Sequence, residues 1–228
     1  AVVAVSYVQF STGTRSDVYR LREATRKVGA YLVVDVTQAA GAVPIDAKGW
    51  EADIVVSSGY KWLGGQGGIG LAVVAPVFFK KTPPAPGWMG APDPFDMQAT
   101  KLPLANDARR FTQSTMSYMT MAGLTVSLGE LLTMGAGNIE AHAQSLARLL
   151  DEKLKGTNWA PFHSTDDKAA SAHIISLGNP AGNVENTLLK IRNANIVCGS
   201  RNRRIRVSIA HFNDENDIQT FVKILQQG

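Results

Sequence analysis

The sequence predicts an α/β fold, in which part of a mostly parallel sheet is followed by a small α+β domain. Strand and helix patterns alternate in the first part of the chain, and the strand candidates are continuous apolar runs, as in sheets covered on both faces. Beyond the long helices in the middle of the chain, short strands and capped helices follow one another instead. We therefore expect two domains, residues 1–137 and 138–228.

The first strand is predicted at residues 2–9. A helix follows in "TRSDVYRLREATRKVGA", because apolar residues recur at helical spacing from Val18 to Val28 and Gly29 stands where the helix should end. Three further strands are predicted in the apolar runs "YLVVDV", "ADIVVSSGYK" and "GIGLAVVAP". Together these elements indicate the large, mostly parallel sheet.

A proline-rich segment separates this sheet from the helices that follow. It extends from Lys80 to Asp107 and includes "KKTPPAPGWMGAPDPFDM". Trp88, Met89 and Phe95 give it side chains that can pack, so we predict a long ordered loop.

The second half of the chain contains helices and short strands. Long helices are predicted at residues 117–136 and 138–155. Strands are predicted in "AHIISLG", "NIVCGS" and "RRIRVSIA", and capped helices in "NVENTLLKIRNA" and "NDENDIQTFVKILQQ". This alternation predicts the small α+β domain.

Composition indicates an ordinary globular protein. Of the 228 residues, 45% are hydrophobic and 18% charged, so a sizeable core can form. Cys198 is the sole cysteine, which excludes an intrachain disulfide and fits a reducing, cytoplasmic location. No apolar run approaches the roughly 18–20 residues that span a bilayer. No signal-peptide pattern is present either, so we expect no membrane partner.

The charge pattern argues against nucleic acid as a partner. The net charge is only +4, which is a mild basic balance. The dense basic cluster of Arg201, Arg203, Arg204 and Arg206 lies in a strand-like segment, without the interleaved aromatic residues of many nucleic-acid surfaces. The chain also begins abruptly at a strand without methionine, which we interpret as a fragment, a processed chain or one half of a split protein.

One lysine lies in the glycine-rich stretch "SSGYKWLGGQGGIG", residues 57–70. A Walker A loop requires serine or threonine directly after the lysine, but Lys61 is followed by tryptophan. Gly65, Gly67 and Gly70 match Gly-x-Gly-x-x-Gly, yet a strand follows them where a dinucleotide site has a helix. A nucleotide-binding module is therefore disfavoured.

A lysine that condenses with an aldehyde cofactor remains the favoured interpretation of Lys61. Pyridoxal phosphate needs a carboxylate at its ring nitrogen, and Asp35 ends a buried strand. Gln38 can reach the ring hydroxyl, while Ser58 and Tyr60 can bind the phosphate. In the plainer alternative, Asp35 caps a turn and Ser58 is a loop hydroxyl. No metal site is predicted.

The residues from about 5 to 75 resemble the class V aminotransferase family of fold-type I pyridoxal-phosphate enzymes, which includes kynureninases, cysteine desulfurases and isopenicillin-epimerase-like proteins. The resemblance rests on "VVDVTQAAG" followed by "DIVVSSGYKWLGGQGGIGLAVV". It implies that Lys61 is the Schiff-base lysine, Asp35 the pyridinium partner and Gln38 the group near the ring hydroxyl. Ser58 and Tyr60 are implied as phosphate ligands. Tyrosine before the lysine looks more like kynureninases than desulfurases.

Later segments extend the resemblance. "RRFTQSTMS" is similar to a family segment whose threonine reaches the neighbouring subunit's phosphate, which implies this role for Thr115 and a homodimer, although Ser114 replaces a glycine. "RIRVSIAHFNDENDI" is similar to the segment whose arginine binds the substrate carboxylate through a bidentate fork, which implies this role for Arg206. Trp88 is similar to a residue near the substrate. Family members carry a further N-terminal part, so the chain is also expected to assemble with whatever supplies it.

The resemblance implies an enzyme acting on an amino acid or amine, with an aminotransferase as the leading expectation. Lys61, expected to be buried, would move the substrate's α-proton as base and acid. A lyase of the kynureninase or cysteine desulfurase type, or an epimerase, is the alternative. Cys198 is the candidate nucleophile for a desulfurase, although a small buried cysteine is the favoured interpretation. A non-catalytic subunit of a split enzyme is the other alternative.

Overall fold

The computed structural model describes residues 1–97 and 100–226. The chain forms two compact units, and each unit consists of three separate segments of the sequence. The first unit comprises Ala1–Val5, Val18–Thr37 and Asp46–Leu128. The second comprises Ser6–Asp17, Gln38–Ile45 and the chain from Gly129 onward. The domain division predicted at residue 137 stays a prediction.

A four-stranded sheet organises the first unit. Its elements are β1 (Val2–Ser6), α1 (Val18–Lys27), β2 (Tyr31–Asp35), β3 (Ile54–Ser58) and β4 (Gly70–Val74). The strands lie side by side in chain order, with β2 and β3 parallel and β4 antiparallel to β3. Asp35 is aligned with Val56 and Ser58 with Gly70, so the ends of β2 and β3 lie beside the start of β4. The α/β class with a mostly parallel sheet is thus confirmed.

Burial explains why these strands form where they do. Leu32 and Val34 of β2 are completely buried. Asp53, buried just before β3, accepts hydrogen bonds from the Leu32 amide and from Arg22 of α1, each at 2.7 Å, which ties the helix to the sheet. The expectation of buried strands fails for β4, where Val73 is 58% exposed. As an antiparallel strand at the end of the strand order, β4 is paired along one side only.

The proline-rich loop is ordered through short 3-10 turns rather than strands or long helices. Trp88–Gly90 and Pro94–Asp96 lie within the loop, and the turns Pro76–Lys80 and Ala108–Phe111 flank it. Trp88 packs edge-on against Phe95, with 6.0 Å between ring centroids, as the aromatic content of the segment predicts. The helices α2 (Tyr118–Met134) and α3 (Ala136–Leu154) follow, within two residues of their predicted bounds.

The second unit is built on a smaller sheet. Its remaining elements are β5 (Ala160–Pro161), β6 (Ile174–Gly178), α4 (Val184–Asn193), β7 (Gly199–Arg201), β8 (Arg204–Ser208) and α5 (Glu215–Gln226). The strand order is β5-β6-β8-β7, and every pair is antiparallel. Leu177 and Ile205 are fully buried and pack with residues such as Leu150 of α3 and Phe221 of α5. The small α+β unit is therefore present as the sequence predicts.

The strand predicted in "NIVCGS" is shorter in the structure. Only Gly199 and the two residues after it join the ladder with β8. The chain leaves α4 through Asn195 in a left-handed conformation, with φ of 59°, and the Ile196 amide still donates to the Ile191 carbonyl at 3.1 Å. The segment from Ile196 to Cys198 therefore completes the helix end instead of pairing as a strand.

His173 lies at the centre of the second unit and is 1% exposed. Its Nε2 is 2.6 Å from the Gln38 carbonyl oxygen and its Nδ1 is 2.7 Å from the Ser171 hydroxyl. Because a carbonyl only accepts, Nε2 carries the proton and Nδ1 accepts from Ser171. Burial, with smaller contributions from the Arg15 and Arg206 charges, lowers the pKa of His173 to about 4 despite the Gln38 hydrogen bond. The imidazole is thus a neutral link between β6 and the turn that holds Gln38.

We predict that the free energy of unfolding decreases as the pH is lowered, because of this one histidine. In the unfolded chain its pKa is about 6.5, so between pH 6.5 and 4 the unfolded state binds the extra proton and unfolding becomes easier as pH falls. The complete shift corresponds to about 3 kcal/mol. Urea unfolding of the wild type and His173→Gln at pH 7.5, 6, 5 and 4.5 measures this. The variant, which keeps a neutral donor, should lose less stability on acidification; parallel pH profiles would contradict the assignment.

Candidate active site

A polar cavity of about 380 Å³ opens where β2 and β3 end and β4 begins. Its lining is Asp35, Thr37, the residues from Val56 to Ser58, and those from Ile69 to Ala72. Parallel neighbours bring their carboxyl ends to the same edge of a sheet, and ligands of open α/β sheets bind at that edge. The predicted residues Asp35 and Ser58 therefore lie in one cavity.

Asp35 uses one carboxylate oxygen for the fold. Its Oδ1 accepts a hydrogen bond from the Thr37 amide at 2.8 Å, which is the turn-capping role of the plainer alternative. Its Oδ2 accepts no hydrogen bond from any of the described residues. One side of the carboxylate thus orients the group, and the other side remains able to bind a cation or a protonated ring nitrogen in the cavity.

Thr37 joins the two strand ends. Its hydroxyl oxygen accepts a hydrogen bond from the Ser58 amide at 3.0 Å, and the Val36 amide donates to the Val56 carbonyl at 2.8 Å. The turn after β2 is therefore held against the end of β3. Sequence reasoning singled out Asp35 and Gln38 but missed the threonine between them. A hydroxyl residue two positions beyond a strand end was the available signal.

Two glycines permit the tight turn that follows β3. The Gly59 amide donates to the Ile69 carbonyl at 2.8 Å, and a Cβ at Gly59 would lie 2.8 Å from the Ile69 side chain. A Cβ at Gly70 would lie 2.9 Å from the Ser57 carbonyl oxygen. Such distances are too short for any larger residue without backbone movement. Glycine at these two positions therefore allows the chain after β3 to pack closely against the start of β4, as expected for glycines that precede a strand.

Lys61 lies in this turn and is exposed, as is Tyr60 at 54%. The expectation of a buried lysine is therefore wrong for the structure. The Lys61 ammonium lies 5.8 Å from the centroid of the Tyr60 ring, a cation–π contact. Neither residue lines the cavity. The lysine follows Ser58 by three residues, so its flexible side chain starts from the turn that leaves the cavity.

Gln38 and Arg206 belong to the second unit. Gln38 is 7% exposed, and His173 holds its backbone carbonyl. Arg206 lies on β8 opposite Ser176 and is half-buried. Its Nε is buried and donates to no acceptor among residues 1–97 and 100–226. Burial, then the Arg201 charge, lowers the pKa of the guanidinium. An anion would relieve both effects, which fits a carboxylate-binding residue.

The remaining predicted residues lie outside the cavity lining. Thr115 is exposed between the Ala108–Phe111 turn and α2. Trp88 is partly exposed and contacts Phe95. Their assigned roles stay predictions.

Cys198 does not have the properties of a catalytic nucleophile. It packs against the hydrophobic core of the second unit. Burial raises the pKa of the Cys198 thiol to about 11, so the reactive thiolate is scarce at neutral pH. This argues for a small packing residue and against a desulfurase that uses this cysteine.

The described residues contain no group of three or more His, Cys, Asp or Glu side chains arranged to hold a metal ion. Within the same part of the chain, every helix is too short or too polar to cross a bilayer.

The chain belongs to the class V aminotransferase family, whose model matches residues 1–221. The match covers both units, and it confirms the resemblance recognised in the sequence. The predicted cofactor, pyridoxal 5'-phosphate, agrees with this family. The family contains lyases as well as transferases, so membership by itself leaves the reaction open.

Several curated relatives and solved structures are similar to the chain. An uncharacterised protein of Schizosaccharomyces pombe is 28% identical over 99% of the chain and 52% of its own length. A kynureninase of Deinococcus radiodurans is 32% identical over 64% of the chain and 36% of its own length. An uncharacterised aminotransferase of Bacillus subtilis is 27% identical over 64% of the chain and 38% of its own length. The chain thus spans about half or less of these relatives.

Two solved structures share the fold at low sequence identity. An apo cysteine desulfurase from Thermococcus onnurineus superposes with a TM-score of 0.87 at 22% identity, over 99% of this chain and 59% of that one. A Lys-to-Ala variant of the enzyme C-DES, with glycine covalently linked to its pyridoxal-phosphate cofactor, has a TM-score of 0.80 at 20% identity. It covers 98% of this chain and 60% of that one. At these identities the likeness establishes the fold alone.

We predict that Thr37→Val loosens the cavity. The Ser58 amide would lose its acceptor, which costs about 1–3 kcal/mol for a buried group. Urea unfolding should show this loss, and Thr37→Ser, which keeps the hydroxyl, should recover most of it. Equal destabilisation by valine and serine would mean that the methyl group, rather than the hydrogen bond, is what matters.

Proposed function

We propose that the protein is a pyridoxal-phosphate-dependent enzyme acting on an amino acid or amine, as an aminotransferase of the class V type. The observation that carries this proposal is the cavity at the strand ends. It contains the available oxygen of Asp35 and the Ser58 segment, and Lys61 follows in the next turn. Membership of the class V family and the uncharacterised aminotransferase of B. subtilis support it.

The residues present fit the cofactor by the chemistry of their donors and acceptors. Asp35 offers a carboxylate oxygen without a partner among the described residues, which suits a protonated ring nitrogen. Ser58 and Tyr60 supply hydroxyl groups for the phosphate, and Gln38 supplies a side-chain amide for the ring hydroxyl. We assign Lys61 as the amine that links to the cofactor aldehyde. The bound cofactor supplies an electron sink for the negative charge that develops beside the substrate nitrogen.

Each side chain then has a physical task. The Lys61 amine removes a proton from the substrate α-carbon as general base and then donates it to a different atom as general acid. Asp35, fixed on one side by the Thr37 amide, keeps the ring nitrogen charged. Arg206 binds the substrate carboxylate through its planar fork. Trp88 is proposed to lie beside the bound substrate.

Assembly into a homodimer, or with a polypeptide that supplies the rest of the family fold, is part of the proposal. Thr115 is exposed, so its hydroxyl is available for the predicted contact with a neighbouring subunit's phosphate. The chain spans about half of the S. pombe relative, which supports a requirement for further polypeptide around the cavity.

A lyase of the kynureninase type is the second candidate. Tyr60 directly precedes the lysine, as the resemblance to kynureninases implies, and the D. radiodurans kynureninase is 32% identical over its matched region. The same residues can serve this reaction, because both reactions begin with removal of the substrate α-proton and diverge afterwards. A desulfurase has less support, since Cys198 is held as a thiol.

We predict that Lys61 forms the covalent link to the cofactor. After incubation of the full chain with pyridoxal phosphate and reduction with borohydride, peptide mass spectrometry should place the adduct on Lys61. Lys61→Ala should abolish this adduct, while Lys80→Ala, which removes another exposed lysine, should leave it unchanged. Asp35→Asn should keep the adduct but lower turnover by about 10² or more. An adduct spread over many lysines, unaffected by Lys61→Ala, would support the non-catalytic alternative.

The reaction type can be separated by product analysis. An aminotransferase should convert an amino-acid panel to 2-oxo acids only when a 2-oxo acid acceptor is present, because the amino group must be passed on. A kynureninase-type lyase should release a side-chain fragment from kynurenine without any acceptor. We predict acceptor-dependent turnover that disappears in Lys61→Ala. Acceptor-independent cleavage of kynurenine would replace the first candidate by the second.

A further inference from the structure

Arg110 is a buried arginine in the 3-10 turn Ala108–Phe111, within the first unit. The residue is 7% exposed, although arginine is almost never fully buried unless it is paired. Its neighbour Arg109 points outward, with a side chain 64% exposed. Two adjacent arginines therefore lie in opposite environments.

Arg110 has no partner for its charge among residues 1–97 and 100–226. Its Nε is completely buried and donates to no acceptor, and no ion pair forms with the guanidinium. The carboxylate closest in sequence, Asp107, is engaged by Arg109, whose Nε lies 3.0 Å from both carboxylate oxygens and whose Nη2 lies 2.9 Å from Oδ2. Asp107 also accepts from the Arg109 amide at 2.9 Å, so it is fully used.

The backbone holds Arg110 in this position. Its amide donates to the Asp107 carbonyl at 3.2 Å, and its own carbonyl packs against Gly90 so closely that a Cβ there would lie 2.8 Å away. Gly90 is buried and its carbonyl accepts from the Ala105 amide at 2.8 Å. The two turns are therefore held against each other, and the backbone of Arg110 is fixed in place.

The buried Nε of Arg110 carries an energetic cost that an anionic acceptor would remove. An arginine side chain stays protonated in proteins, so it cannot escape burial by losing its proton as lysine does. A buried donor without an acceptor destabilises the native state. A carboxylate or phosphate that receives two parallel N–H bonds from the guanidinium removes that cost.

We propose that Arg110 is the base of an oxyanion-binding site in the turn Ala108–Phe111, which follows the proline-rich loop. The ligand is a carboxylate or phosphate group, either a free anion or a side-chain carboxylate of a second copy of the chain. This inference does not depend on the reaction proposed above, and Arg110 is not assigned to cofactor or substrate. Its failure would leave the Lys61 experiment unaffected.

The free-anion source is tested by thermal unfolding of the full chain. Inorganic phosphate and acetate are titrated at constant ionic strength, maintained with sodium chloride. If a free anion binds, the melting temperature of the wild type should rise by several degrees and saturate, because a ligand that binds only the folded state stabilises it. Arg110→Met should abolish the rise. Arg109→Met, the matched control on the exposed neighbour, should retain it.

The second-copy source is tested by sedimentation at several protein concentrations. If a carboxylate of another copy binds Arg110, Arg110→Met should raise the dissociation constant of self-association at least tenfold, while Arg109→Met leaves it unchanged. Arg110→Lys keeps the charge without the planar fork, and should weaken whichever response the wild type shows by about tenfold. It also serves as the test variant if the methionine variant fails to fold.

An anion-dependent rise in melting temperature, or self-association, that is lost in the Arg110 variants and retained in Arg109→Met supports the site. Which of the two is observed shows whether the ligand is a free anion or a carboxylate of a second copy. A wild type whose melting temperature ignores both anions, and whose self-association is the same in the Arg110 and Arg109 variants, would overturn the proposal.

Discussion

The hydrogen bonds that join the ends of β2 and β3 are the constraint on which the candidate site depends. Thr37 donates its amide to Asp35 and accepts the Ser58 amide with its hydroxyl, so one residue holds both strand ends. These contacts add to the pairing of the strands themselves, in which Asp35 is aligned with Val56. The carboxylate and the serine segment are therefore held side by side at the edge of the sheet.

In the second unit, a buried imidazole holds the backbone of a predicted site residue by hydrogen bonding. His173, which directly precedes β6, holds the backbone of Gln38, while Arg206 lies on β8 of the small sheet. A neutral histidine suits this role because it donates from one nitrogen and accepts at the other, satisfying both partners without a buried charge. The small sheet thus provides a rigid support for two of the predicted residues, although neither belongs to the large sheet.

The cationic residues discussed above differ in burial and in whether their nitrogens have acceptors. Lys61 is exposed, whereas Arg206 and Arg110 carry buried nitrogens without acceptors among the described residues. An anionic acceptor would satisfy such a nitrogen. The roles proposed for Arg206 and Arg110 rest on that shared physical argument.

The sequence by itself determined the α/β class, the helices and most strands, because apolar periodicity and helix caps are local. It also predicted that Asp35 and Lys61 act together at a cofactor, since one ends a predicted strand and the other follows the next; this stays a prediction. Only the tertiary structure decided the rest. The antiparallel, exposed β4, the Thr37 hydrogen bonds, the exposure of Lys61 and the isolation of Arg110 depend on which strands become neighbours. Contacts between residues far apart in the chain leave no periodic signal, so they become visible only when the chain is folded.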